Sequence, residues 1–170
     1  MNVASLTRLL LLLVQCRVSV GTLLTSCCYA IVNNKTHEFL VPSDCVDQGE
    51  QDSRYVVASQ SSGFASTWKL SLRPVSGDQL VTFQNLRTKQ FLFTGAHNLL
   101  YTADMPNSAS STYLLPKGVQ GGLISQRNAF GGYTEYVRAE KYPGFGHAFV
   151  KQGKLIERSY WTFIHRPCVC

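Results

Sequence analysis

The chain has 170 residues, of which 45% are hydrophobic and 15% are charged, and its formal net charge is +6 at pH 7. So many apolar and aromatic side chains exclude intrinsic disorder, and 6 cysteines are too few for a small fold held together mainly by disulfides. The length suits a single domain with a core of ordinary size.

The start of the chain predicts a secretory signal peptide. Arg8 precedes the apolar run at residues 9–14, and Ser19 and Gly21 have the spacing of a cleavage site before Thr22. The alternative is an N-terminal membrane anchor, but the run is far shorter than the roughly 20 apolar residues that a span requires. We therefore predict a signal peptide at 1–21 and a single secreted, extracellular domain at 22–170, with no membrane span.

Cysteine placement agrees with secretion. Five cysteines follow the signal peptide, and we treat all of them as disulfide candidates: Cys27, Cys28, Cys45, Cys168 and Cys170. In an oxidising compartment, disulfides are expected to tie the start of the domain to its end, with Cys45 as a further partner. Zinc is the alternative, but no C-x-x-C pair is present and we expect no metal. Because five is odd, one thiol is free or intermolecular, or cleavage occurs elsewhere.

A glycosylation motif lies early in the domain. Asn34 is followed by Lys35 and Thr36, which is the acceptor pattern for N-linked glycans. We predict a modified surface loop at Asn34.

Two markers recur along the domain. Residues 31–41 and 83–93 share Asn, Thr, Phe and Leu in register, with Asn33 and Asn85 lying 52 positions apart. A second marker combines a serine with an aromatic residue close behind it, which is Trp68, Tyr113 or Trp161. We predict that these three aromatic residues lie in the core; the alternative is that they bind a ligand.

The segments between the markers predict short strands. Residues 55–58, 79–83 and 91–93 are rich in β-branched and aromatic side chains, and Gly, Pro, Asn and Ser clusters separate such segments. Many short strands at regular spacing favour an all-β barrel or sandwich.

Three such units of about 45 residues resemble the β-trefoil, and in particular the ricin-B-type lectins, whose units end in Gln-x-Trp. The resemblance covers residues 29–167 and divides the domain into repeats at 28–75, 79–118 and 120–167. It implies that the N- and C-terminal strands are neighbours linked by disulfides. Serine replaces the family's glutamine at Ser66, Ser111 and Ser159, and we carry no sugar-binding residue across.

A second resemblance is one of general type. The size of the domain, its signal peptide, its basic charge and its terminal cysteines look like those of small salivary proteins from blood-feeding insects. This likeness implies that the protein binds a host molecule during feeding.

The sequence offers no catalytic constellation. No metal-binding histidine pair, nucleophile elbow or phosphate-binding loop is present. Glu135 and Glu140 could act as a glycosidase pair, but a spacing of five in a strand places them on opposite faces, so solvated carboxylates are favoured. We expect a protein that is not an enzyme and needs no cofactor.

A segment near the C-terminus predicts a ligand-binding site. Aromatic rings can stack on a sugar while the interleaved cations hold an anion. The predicted ligand-binding residues are Tyr133, Arg138, Lys141, Tyr142 and His147. The alternative is an ordinary hairpin with Tyr136 and Phe149 in the core. A further alternative is a basic face for a polyanion, formed by Lys117, Arg127, Lys151 and Lys154.

Together these observations predict a secreted, monomeric binding protein that recognises a glycan, an anionic small molecule or a host protein, and no nucleic acid. The alternative function is an inhibitor or cytokine-like protein that engages another protein through an exposed loop.

Overall fold

The structure is a computed structural model that describes residues 27–47, 53–75, 78–104, 111–115, 125–127, 134–144 and 148–168. The predicted signal peptide lies outside these residues. Strands dominate the described part, as follows: β1 Cys28–Asn33, β2 Phe39–Val46, β3 Arg54–Ser59, β4 Thr67–Val75, β5 Asp78–Asn85, β6 Phe91–Thr94, β7 Leu100–Ala103, β8 Tyr113–Leu115, β9 Ser125–Arg127, β10 Thr134–Lys141, β11 Ala148–Gly153 and β12 Trp161–Arg166. Short 3-10 turns occupy Phe64–Ser66, Ala96–Asn98 and Glu157–Ser159. The all-β prediction is confirmed.

The strands form a closed barrel. Among the described residues, antiparallel pairing runs from β1 through β2, β3, β7, β6, β5 and β4 and back to β1, which closes a ring of seven strands. The remaining strands are attached to this ring: β12 pairs with β1, while β8, β9, β10 and β11 connect β5 to β3.

The predicted β-trefoil of three equivalent units is wrong. The strands that carry the three aromatic markers pair differently: β4 lies between β1 and β5, the short β8 lies between β5 and β9, and β12 pairs with β1. The markers require only that an aromatic side chain be buried, and burial alone does not determine which strands pair. The limits of the domain stay a prediction.

The core confirms the roles predicted for the aromatic markers. Trp68, Tyr113 and Trp161 are fully buried in one hydrophobic cluster. Burying an indole N–H requires a partner, and Trp68 Nε1 donates to the Leu40 carbonyl at 2.9 Å while Trp161 Nε1 donates to the Val137 carbonyl at 2.8 Å.

The repeated asparagines explain the first sequence marker. The Asn85 side chain accepts hydrogen bonds from the backbone N–H groups of Arg87 and Thr88, which holds the turn between β5 and β6. Its Nδ2 donates to the Ala65 carbonyl at 2.8 Å, just before the serine of the second marker.

Asn33 repeats these contacts in the turn between β1 and β2. Its Oδ1 accepts from the backbone of Lys35 and Thr36, and its Nδ2 donates to the Arg158 carbonyl at 2.8 Å. Each of the two asparagines therefore ties its own turn to the segment that leads into a serine–aromatic marker.

A disulfide joins the two ends of the described chain. Cys28, the first residue of β1, is bonded to Cys168, which follows β12. This agrees with the expectation that a disulfide ties the start of the domain to its end. Cys27 is buried and Cys45 is exposed, whereas Cys170 lies outside the described residues.

Candidate functional site

Five aromatic rings form a continuous strip on the outside of the barrel. We call it the aromatic strip, and in order of contact it consists of Phe93, Tyr101, Tyr55, Phe149 and Tyr142. Successive ring centres are 5.6, 4.9, 5.6 and 5.9 Å apart. None of these residues belongs to the hydrophobic core cluster. Phe93 and Tyr101 are buried. Tyr55, Phe149 and Tyr142 are half-buried, so only this part of the strip meets solvent.

The period-2 alternation of the strands places these rings outside. Along β11 the side chains alternate between buried and half-buried, so Val150 points inward whereas Phe149 and Lys151 point outward. Tyr55 and Tyr101 are directly paired across β3 and β7, which brings rings distant in sequence into contact. Gly95 lies against Tyr101, because a Cβ at this glycine would be 2.8 Å from the ring.

A carboxylate contacts the aromatic strip at Tyr55. The Tyr55 hydroxyl is hydrogen-bonded to Asp47, and this bond is the main reason that the pKa of Tyr55 is raised. The pKa of Tyr101 is also raised, chiefly by burial, with further contributions from Tyr55 and Asp47. Both phenols therefore stay protonated at neutral pH and serve as hydrogen-bond donors.

A charged cluster lies at the Tyr142 end. We call Arg138, Glu140 and Lys151 the charged cluster; all three are on β10 and β11. Arg138 Nη2 and Nε donate to Glu140 Oε2 at 2.8 and 3.1 Å, and Lys151 Nζ lies 3.2 Å from the same oxygen. The pairing of Arg138 with Lys151 and of Glu140 with Phe149 across the hairpin sets this arrangement.

Lys151 also contacts Tyr142, through its hydroxyl. Lys151 Nζ donates to the Tyr142 hydroxyl at 2.9 Å and lies 5.5 Å from the centre of the ring. The two distances together place the ammonium beyond the hydroxyl, close to the line that runs from the ring centre through the hydroxyl oxygen. It does not lie above the ring face. Lys151 thus fixes the orientation of the ring without itself covering either face.

The ionisation of the cluster is stable at neutral pH. Burial raises the pKa of Glu140, but hydrogen bonds and charges from Lys151 and Arg138 outweigh it, and the net pKa is lowered. The pKa of Lys151 is raised, first by its hydrogen bond with Tyr142 and then by Glu140, although burial opposes this. The cluster therefore carries two cations and one carboxylate.

Gly153 provides room for Arg138. A Cβ at this glycine would lie 2.8 Å from Cζ of Arg138, so the guanidinium packs directly on the backbone of β11. From this position Arg138 Nη1 also reaches the Lys154 carbonyl at 3.4 Å.

The structure brings together two of the five predicted ligand-binding residues. Arg138 and Tyr142 are joined through Lys151 and Glu140. Lys141 is exposed and makes no ion pair with the described residues. Tyr133 and His147 lie outside the described residues.

Other parts of the sequence-based picture need correction. Phe149 and Tyr136 are half-buried on the outer face, so the alternative that placed them in the core is wrong. Sequence reasoning missed Tyr55, Tyr101 and Phe93, although Tyr55 begins a strand that was predicted. Tyr55 could have been identified from the alternation of that strand, because the next residue, Val56, points inward.

The predicted basic face stays a prediction, because only two of its four side chains are described. Lys151 is engaged by Glu140, whereas the Lys154 side chain is exposed. Lys117 lies outside the described residues, and Arg127 belongs to β9.

Asn34 is accessible for modification. It is exposed in the turn between β1 and β2, and its Oδ1 accepts a hydrogen bond from Thr162 at 2.7 Å. Glycosylation at this residue stays a prediction.

Two features are absent from the described residues. No group of three or more His, Cys, Asp or Glu side chains there could hold a metal ion. In the same part of the chain, no helix is long and apolar enough to cross a membrane.

Comparison with known proteins gives likeness in structure alone. No protein-family model matches the chain, and no curated protein matches it in sequence. A solved salivary protein from Culex quiquefasciatus, described as a member of the Cysteine and Tryptophan-Rich family, has a TM-score of 0.56 and 11% identity, with 87% of this chain and 98% of that chain covered. A structure described as BEL beta-trefoil has a TM-score of 0.58 and 8% identity, with 88% and 100% covered.

A third similar structure is a lectin. It is the Polyporus squamosus lectin bound to the epitope Neu5Aca2-6Galb1-4GlcNAc, with a TM-score of 0.60 and 11% identity, and 84% of this chain and 50% of that chain are covered. Identities this low bear on the fold alone. The three structures support a resemblance to β-trefoil lectins and to a salivary protein, while the ricin-B type is not confirmed.

Proposed function

We propose that this protein is a secreted, non-enzymatic binding protein that recognises a glycan through the aromatic strip and the charged cluster beside it. The observation that carries the proposal is the run of five contacting rings outside the core, of which Tyr55, Phe149 and Tyr142 meet solvent. Asp47 contacts the run at Tyr55, and the charged cluster lies at its Tyr142 end. Ligand sites typically combine aromatic walls with a few placed polar groups. The likeness to a lectin supports a glycan as the ligand.

Secretion has its own support. The Cys28–Cys168 disulfide is compatible with an oxidising compartment, and so is the likeness to a salivary protein. A role as a salivary effector is part of the proposal.

The proposal assigns no general-acid role to Glu140. A general acid needs a raised pKa, whereas two cations hold the pKa of Glu140 below its ordinary value. The second carboxylate of that pair, Glu135, faces the other side of β10, since the two are five residues apart in a strand.

A glycan array tests the proposal directly. The purified secreted protein should bind a defined subset of printed glycans. Silence across the whole array at high protein concentration would contradict glycan binding.

A second candidate function is binding of another protein through an exposed loop, as an inhibitor or cytokine-like protein would do. One observation favours it: Leu155 and Ile156 are adjacent after β11 and are 45% and 41% exposed. Replacing both with serine should abolish capture of a host protein under this function and should leave glycan binding unchanged.

A further inference from the structure

We infer that the charged cluster recognises the hydroxyl groups of a neutral sugar rather than an anionic group. The inference rests on the proposed function, because it names the class of glycan that the same site takes. It also separates two ligands, a glycan and an anion, that the sequence left as alternatives.

A ligand at the charged cluster meets cations that are already paired. Both cations contact one carboxylate oxygen, and the side chains of Arg138 and Lys151 are only 18% and 21% exposed. Glu140 is more exposed than either, at 30%. An anion approaching the cations would therefore meet the carboxylate and would compete with an ion pair that is already formed.

The charged cluster offers a hydrogen-bond acceptor as well as donors. All described contacts of Glu140 use Oε2, while Oε1 makes no hydrogen bond to a described residue and is not among the buried unsatisfied atoms. An open acceptor therefore stands beside the N–H groups of Arg138 and Lys151. Neighbouring sugar hydroxyls, each of which both donates and accepts, match this pattern, whereas a carboxylate or sulfate only accepts.

The Tyr142 ring lies beside the charged cluster. Lys151 holds the Tyr142 hydroxyl without covering the ring face, and Phe149 meets the ring at 72°. An apolar sugar face could pack on Tyr142 while the hydroxyls reach Glu140 and Arg138. Because Gly153 lets Arg138 lie flat on β11, the donors are positioned before a ligand arrives.

The test uses an array that carries each oligosaccharide core in a neutral form and in sialylated or sulfated forms. The neutral oligosaccharide that binds most strongly is then titrated calorimetrically into the wild-type protein, Glu140→Gln and Glu157→Gln. Glu157 is the matched control, since it is paired with Lys35 outside the site. We expect neutral cores to bind, Glu140→Gln to weaken the affinity about tenfold, and Glu157→Gln to leave it unchanged.

A second variant moves Arg138 without changing any charge. Gly153→Ala should displace the flexible end of that side chain and leave the strand pairing intact, as circular dichroism would check. We expect the affinity for the same neutral oligosaccharide to fall severalfold. Unchanged affinity in both Glu140→Gln and Gly153→Ala would overturn the inference.

Two further outcomes would also overturn it. In the first outcome, only sialylated or sulfated cores bind. In the second, Glu140→Gln binds those cores more tightly than the wild-type protein does, and the affinity falls as salt is added. Either result would leave glycan binding itself standing, whereas silence of the entire array would overturn both the inference and the proposed function.

Discussion

Glu38 and Gln90 occupy equivalent places in the two turns that follow Asn33 and Asn85. The Gln90 side chain accepts a hydrogen bond from Thr102 at 2.9 Å. Thr102 pairs with Leu92, which is two residues after Gln90. The equivalent residue after Glu38 is Leu40, and its partner is Ala58, which has no hydroxyl. One carboxylate oxygen of Glu38 is accordingly buried without a hydrogen-bond partner in the described structure.

Glu38→Gln should therefore stabilise the protein. A neutral amide of the same shape costs less to bury than a carboxylate, and we expect the free energy of unfolding to rise by about 1 kcal/mol. Urea unfolding followed by tryptophan fluorescence measures the change, with the exposed Glu157→Gln as the control. A decrease in stability for Glu38→Gln would show that the carboxylate is satisfied by a group that this account lacks.

At the scale of the element, the hairpin of β10 and β11 depends on pH through its ion pairs. The lowered pKa of Glu140 gives a stabilisation that is complete above the pKa of an unfolded glutamate and is lost as pH falls through the folded value. The raised pKa of Lys151 gives a stabilisation that is complete below the pKa of an unfolded lysine and is lost as pH rises through the folded value.

The stability difference between the wild-type protein and Glu140→Gln should consequently show a plateau around neutral pH. We expect about 1 kcal/mol there, because the pair is only partly exposed, and a smaller difference at acidic and at strongly alkaline pH. Urea unfolding across the pH range measures it, with Glu135→Gln on the same strand as the control. A difference that does not vary with pH would show that the ion pairs contribute nothing.

At the scale of the whole molecule, the Cys28–Cys168 disulfide closes the chain across a separation of 140 residues. Cys168→Ala should lower the free energy of unfolding by about 2–5 kcal/mol, chiefly because the unfolded chain regains conformational freedom. Cys45→Ala, which changes an exposed cysteine outside this disulfide, should have no such effect. Equal stability of the two variants in urea unfolding would contradict a structural role for the bridge.

Features that depend on the chemistry of individual residues could be predicted from the sequence. Features that depend on which strands pair could not. Buried Trp68 and Trp161, the strands around residues 55–58 and 91–93, and a disulfide between the two ends are all present. The trefoil was wrong because repeated anchors do not specify which strands meet. The aromatic strip was missed for the same reason, since Tyr101 and Tyr55 become neighbours only through the pairing of β3 with β7.

The central claim, that the outer aromatic strip binds a glycan, depends most directly on Tyr142. The decisive measurement is calorimetric titration of the strongest glycan from the array into the wild-type protein, Tyr142→Ala and the control Tyr160→Ala, a half-buried tyrosine that precedes β12. We predict that Tyr142→Ala weakens the affinity at least about tenfold and that Tyr160→Ala leaves it unchanged. Equal affinity of Tyr142→Ala and the wild-type protein would contradict the claim.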